Sequence, residues 1–193
     1  NKVKLTYSNN PHTNGTGFTV DHPAYDYTYG IDVTKVGSDA ETKGLEGVEF
    51  TLQERIGDTV EEKYIDSKGV KHEKTDKVTL KTDESGKINV IGLDEGTYIL
   101  KETKPAPGYN NSAANGVTFT IARGTLKQDR SDVTPEVNSA NVTAADGVVK
   151  TGSAAVSTGK LSFTIVDQKG SGLPLTGLNG VTFTWIAGGA VLC

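Results

Sequence analysis

Cysteine is almost missing from this chain: one residue in 193, Cys193. A single thiol makes no intrachain disulfide, so rigidity has to come from another source. Methionine is absent, and no N-terminal stretch has signal-peptide character, so the sequence reads as a mature or excised piece of a longer protein. Charge of one sign is not in excess. With 20 basic and 24 acidic residues there is no basic footprint for nucleic acid and no polybasic patch for a membrane. No apolar run reaches the roughly 20 residues that cross a bilayer. The tail 181–193 reads as the front of a spanning segment cut short, with Trp185 suited to a membrane interface. His12, His22 and His72 lie in polar, turn-rich stretches without Cys or carboxylate at ligand spacing, so surface positions, no metal and no cofactor are expected. A phosphate-binding glycine loop and a nucleophile elbow are also lacking, which leaves a secreted enzyme without a site.

What is present is strand and turn. Hydrophobic residues are only 35% and glycines number 23, a composition for many short strands joined by tight turns. Alternation of apolar and polar residues marks Ile31–Val36 and Leu45–Leu52, and Thr97–Glu102, Val117–Ile121 and Leu161–Val166 read as further short strands. Lys77–Leu80 and Lys87–Val90 flank the turn Asp83-Glu84-Ser85-Gly86. The fold class expected is all-β, a β-sandwich. Two polar inserts, 54–76 and 124–160, are expected as loops or small excursions. Residues 1–30 hold two strand-like runs, Lys2–Tyr7 and Gly17–Tyr29. They fit the end of a preceding domain, or two strands of one larger sandwich. The run 167–172 is a flexible lead into the C-terminal segment.

Leu173-Pro174-Leu175-Thr176-Gly177, ahead of an apolar stretch, resembles the sorting signal of Gram-positive surface proteins. In that family a sortase cuts between Thr and Gly and joins the Thr carbonyl to an amine. The resemblance implies that Thr176 becomes one end of a covalent joint. A second resemblance covers 31–167. Ile31-Asp32-Val33-Thr34-Lys35, the Leu45–Leu52 stretch and Tyr98 to Tyr109, with its Glu102-Thr103-Lys104-Pro105, are similar to the Cna protein B-type domain. That family is an immunoglobulin-like, seven-stranded sandwich with Greek-key character. The early Pro105 departs from its pattern, a change expected to touch loop shape rather than chemistry. The domains implied are 1–30, the end of a preceding pilin domain or linker strands; 31–172, the sandwich; and 173–193, sorting signal and tail. Tyr7–Pro11 and Tyr27–Gly30 also resemble the join between the middle and last domains of shaft pilins.

In the Cna B-type family a Lys of the first strand bonds covalently to an Asn or Asp of the last strand, promoted by a Glu. Those roles map to Lys35, Asp167 and Glu102. Asp167 stands where the family's Asn falls, so the leaving group becomes water instead of ammonia. The residues are consistent with this chemistry. Alternation puts Ile31, Val33 and Lys35 on one face, and a core-facing Lys is costly if charged. Burial disfavours charged forms in general, and a neutral amine is a nucleophile. A neutral Glu102 could hydrogen-bond the Asp167 carbonyl, stabilise the oxyanion and shuttle the proton.

The resemblance implies a structural subunit of a covalently polymerised pilus on a Gram-positive cell surface, not an enzyme. Its expected partners are a sortase and neighbouring pilin subunits, with host surface or matrix ligands as a further class. The alternative is a wall-anchored adhesin that serves as stalk or binding module. No acceptor Lys in a Tyr-Pro-Lys-like setting is found, so the chain carries the donor half of the joint.

Overall fold

The computed structural model describes residues 2–10, 12–20, 22–23, 27–122, 142–150, 154–155 and 159–170. The sorting motif Leu173–Gly177, the tail with Trp185 and Cys193, and most of the 124–160 insert lie outside the described residues.

Among the described residues every regular element is a strand except one 3-10 turn, Lys74–Asp76. The first four strands are β1 Lys2–Val3, β2 Thr6–Ser8, β3 Thr16–Phe18 and β4 His22–Pro23. They form two small ladders, β1 with β4 and β2 with β3, apart from the main sheets. The chain continues with β5 Tyr29–Gly37, β6 Ala40–Gly44, β7 Glu49–Ile56, β8 Thr59–Val60, β9 Tyr64–Ile65 and β10 Lys71–His72. Next come β11 Leu80–Lys81, β12 Lys87–Leu93, β13 Gly96–Lys104 and β14 Val117–Ile121. The last four are β15 Val142–Thr143, β16 Val149–Lys150, β17 Ala154–Ala155 and β18 Lys160–Asp167.

Two sheets make the sandwich. One runs β11-β7-β13-β14-β15 with β8 on β7; the other runs β12-β5-β18-β16 with β6 on β5 and β17 on β18. Period-two burial explains why they meet. In β14 the buried residues are Val117, Phe119 and Ile121; in β18 they include Leu161, Phe163 and Ile165. Phe119 is stacked on Tyr98 within its own sheet, 5.5 Å between centroids, and lies 5.6 Å from Phe163 of the facing sheet. Each such side chain contributes about 1.5–3 kcal/mol by leaving water. Truncating Phe119 to Ala would cost about 3–5 kcal/mol.

The ladder that brings the start and the end of the sandwich together is β5 with β18. These strands pair in parallel from Gly30↔Lys160 to Gly37↔Asp167. A parallel pair needs a crossover between its strands, and here nearly the whole sandwich serves as that crossover.

Some expectations change. The Leu45–Leu52 stretch is not one strand: β7 begins at Glu49, after Gly47 takes φ +76. The turn before it hangs on Thr82, whose Oγ1 accepts from Val48 N and donates to Leu45 O. Lys77–Leu80 shrinks to Leu80–Lys81, because Lys77 sits at φ 51. Of the two readings of the 54–76 insert, loop or small excursion, the second holds: the insert extends β7 and adds the short strands β8, β9 and β10, with Ile65 buried. The Asp66 carboxylate organises the β9–β10 hairpin by accepting from Lys68 N and Val70 N.

Candidate functional site

Three ionisable side chains meet inside the sandwich, and they are the three singled out from the sequence. Lys35, Asp167 and Glu102 are buried, with side chains fully out of solvent. Lys35 Nζ lies 2.5 Å from Asp167 Oδ1 and 3.0 Å from Glu102 Oε2.

Topology sets this geometry. Lys35 is opposite Ile165 in the parallel ladder, so Asp167, two residues on, faces the same side. Glu102 comes from the other sheet, opposite Phe50 on β7. The Phe50 ring centroid lies 6.0 Å from Lys35 Nζ and closes one wall with apolar surface. The Lys35 backbone is held at both ends. Its N–H donates to Gly86 O at 2.7 Å, and its carbonyl accepts from Leu45 N at 2.8 Å. That close approach needs glycine: a Cβ on Gly44 would fall 1.9 Å from Ser85 O. Asp167 O accepts from Ser38 N at 2.8 Å. Glu102 is tied to the following loop, donating its N–H to Ala113 O and accepting from Asn111 Nδ2 at its carbonyl.

Two ionised carboxylates against one ammonium would leave a net charge in a dry core, which is costly. A shared proton removes it. Burial pushes the Glu102 carboxyl up from 4.5 to about 7, opposed by the Lys35 charge and reinforced by the charge of Asp167. Lys35 Nζ, both Glu102 oxygens and Asp167 Oδ2 are buried without a well-aligned hydrogen bond. Charge contact, not aligned hydrogen bonding, holds these groups together. In chemical terms the arrangement sets an amine against one carboxyl group, with a second carboxyl beside them.

The loop that follows Glu102 adds a residue that the sequence did not single out. It reaches the site: Ser112 N donates to Asp167 Oδ1 at 3.1 Å. Nothing local in the sequence marks Ser112, since the contact spans 55 positions. Of the histidines, His12 is exposed, while His72 is half-buried and bonded to Asp66 Oδ2 at 2.9 Å. Among the described residues no cluster of three or more His, Cys, Asp or Glu could hold a metal. No helix among them is long and apolar enough to cross a membrane.

A family model described as SpaA, prealbumin-like fold domain, matches residues 30–134. No curated protein matches the chain. Solved structures similar to it include BcpA, the major pilin subunit of Bacillus cereus. That likeness has 22% identity, covers 73% of this chain and 29% of that one, and has a TM-score of 0.41. GBS52, the minor pilin of Streptococcus agalactiae, is 29% identical over 74% of this chain and 44% of its own, TM-score 0.46. The group B streptococcus pilus 2b backbone protein is 20% identical over 84% of this chain and 47% of its own, TM-score 0.47. The chain thus spans less than half the length of each of these three. The family match takes in more than half of the chain and all of β5 through β14 except Tyr29, and the chain belongs to the SpaA prealbumin-like fold domain family.

Proposed function

We propose that this chain is a non-enzymatic, load-bearing part of a pilus-related cell-surface protein, locked internally by an amide between Lys35 and Asp167. The observation that carries this reading is the dry contact of Lys35 with Asp167 on the first and last strands of the sandwich, with Glu102 alongside.

In the proposed reaction the ammonium passes a proton to the carboxyl pair, and the neutral Nζ attacks Asp167 Cγ. Glu102, in its acid form, gives a proton to the departing oxygen and takes one from nitrogen. An amide forms, one water leaves and Glu102 is regenerated. Alignment inside a packed core supplies the high effective concentration that an uncatalysed amine and acid lack. The product replaces the buried ions with one neutral amide. It would close a loop of more than a hundred residues, worth about 4–5 kcal/mol in the chain-entropy model. Pulling force between the ends of the sandwich would pass through the bond and spare the sheets.

Residues 31–172 form the sandwich unit in this reading and 173–193 the sorting segment, with 1–30 belonging to what comes before. A sortase would cut after Thr176 and join its carbonyl to an amine of a neighbouring subunit or of the cell wall. Immunoblots of wall extracts from sortase-competent cells test this. A ladder of high-mass species, abolished by deleting 173–177, is expected. A single wall-linked species would instead favour the adhesin, and no wall-linked species at all would overturn the surface assignment.

A further inference from the structure

The loop after β13 is bolted to the end of β18. Asn110 N donates to Gln168 O at 2.9 Å, Gly170 N to Gly108 O at 2.9 Å, and Gln168 N to Ser112 Oγ at 3.2 Å. Tyr109 bridges to Lys169, and its hydroxyl donates to Asp39 Oδ1 at 2.8 Å. Lys169 N donates to Ser38 Oγ at 3.1 Å, so a second loop grips the same segment. The result is a rigid cover over Asp167, and the group it aims inward is a main-chain amide. Ser112 N is shared between Asn110 O at 3.0 Å and Asp167 Oδ1 at 3.1 Å. Asp167 Oδ2, by contrast, is buried and has no donor.

Resting on the amide reading above, we infer that the Ser112 main-chain N–H is the oxyanion donor of the bond-forming step and makes Oδ1 the oxygen that stays in the amide. When Nζ bonds to Cγ, the carbonyl electron pair moves onto Oδ1, where Ser112 N–H stabilises it. Collapse restores Cγ=Oδ1. Oδ2 departs as water, carrying its own hydrogen and one proton from Glu102, while nitrogen returns a proton to Glu102. The two oxygens of one carboxyl thus have different fates because only one faces a fixed donor. A main-chain donor suits this role because it needs no reorganisation as charge develops. It also explains why a loop so rich in Pro and Gly is tied down by so many bonds.

The test starts from protein unfolded before the bond has formed, refolded by dilution and sampled by intact mass. Ser112→Pro removes the N–H, and bond formation is expected to slow about tenfold or more. Ser112→Ala keeps the N–H and is expected to stay within about twofold of the parent, although it loses the Gln168 anchor. The same Pro change in a Lys35→Ala background, which cannot form the bond, reads its effect on folding alone. Equal rates for Ser112→Pro and parent would overturn the inference. A parent that never loses water would instead sink the amide reading itself. If Ser112→Pro does not fold, amide hydrogen exchange answers the question. Ser112 N–H is expected to exchange about tenfold faster or more in Lys35→Ala/Asp167→Ala than in Lys35→Ala, and equal exchange would overturn the inference.

Discussion

Two lysines in this molecule each face two carboxylates, and their surroundings differ. Lys71 pairs with Glu54 and Glu61 on the surface, with 41% of its side chain exposed. Hydrogen bonds to Glu54 and Glu61 hold its ammonium well above the ordinary lysine value, so the charged form is the favoured one. Lys35 pairs with Glu102 and Asp167 at zero exposure. There burial raises the Glu102 carboxyl to about 7, which keeps an acid where the surface cluster has a carboxylate. The residue types are nearly the same. Water is what separates the two clusters: outside it stabilises the ions, and inside its absence favours a neutral set.

The comparison breaks most sharply at Lys35. Lys35→Ala would abolish the proposed cross-link and strand two buried acids, and a loss of about 4–5 kcal/mol is expected in denaturant unfolding. A loss under about 1 kcal/mol would mean that no link spans the sandwich. Next comes Glu102→Gln, close in shape but unable to relay the proton. The folded protein is expected to keep its full sequence mass over hours, while its near-UV circular dichroism stays close to the parent's. Prompt loss of water in this variant would remove Glu102 from the mechanism.

Acidity sharpens the same contrast. Glu102 titrates near 7 in the folded chain against 4.5 for an ordinary carboxyl, so the raised value lies on the folded side. In unreacted protein its contribution to stability is therefore complete below about 4.5 and is lost as pH rises through about 7. Bond formation after refolding should likewise slow by about tenfold per pH unit above that point, as the acid form is depleted. A rate that is flat from about pH 5.5 to 8.5 would rule out an acidic Glu102. The smallest effect is at the surface cluster. Lys71→Ala should cost about 0–1 kcal/mol and leave the mass deficit of the protein unchanged. A larger loss there would mean that solvent is not what separates the two clusters.

Much of this was legible in the sequence, and the limits follow the range of the contacts. Alternation through Ile31, Val33 and Lys35 turned the lysine inward, and β5 keeps that pattern. Glu102 lies in a run that reads as a strand from the sequence, although β13 is longer than the run suggested. Asp167 was reachable only through family resemblance, because no local pattern shows that the last strand returns beside the first. Ser112 was out of reach for the same reason. The β8, β9 and β10 pieces were missed because two-residue strands have too few positions to show a period. Leu45–Leu52 reads as one strand from the sequence, yet the left-handed Gly47 and the Thr82 hydroxyl make its first residues a turn. Local pattern thus located the strands and the inward lysine; long-range pairing assembled the site.

The most direct measurement of the Lys35–Asp167 bond is the intact mass of the folded protein. A mass one water below that of the sequence is expected, restored to the full value in Asp167→Ala. A parent protein at full sequence mass would contradict the bond, and a deficit of one ammonia would move the partner role from Asp167 to an asparagine.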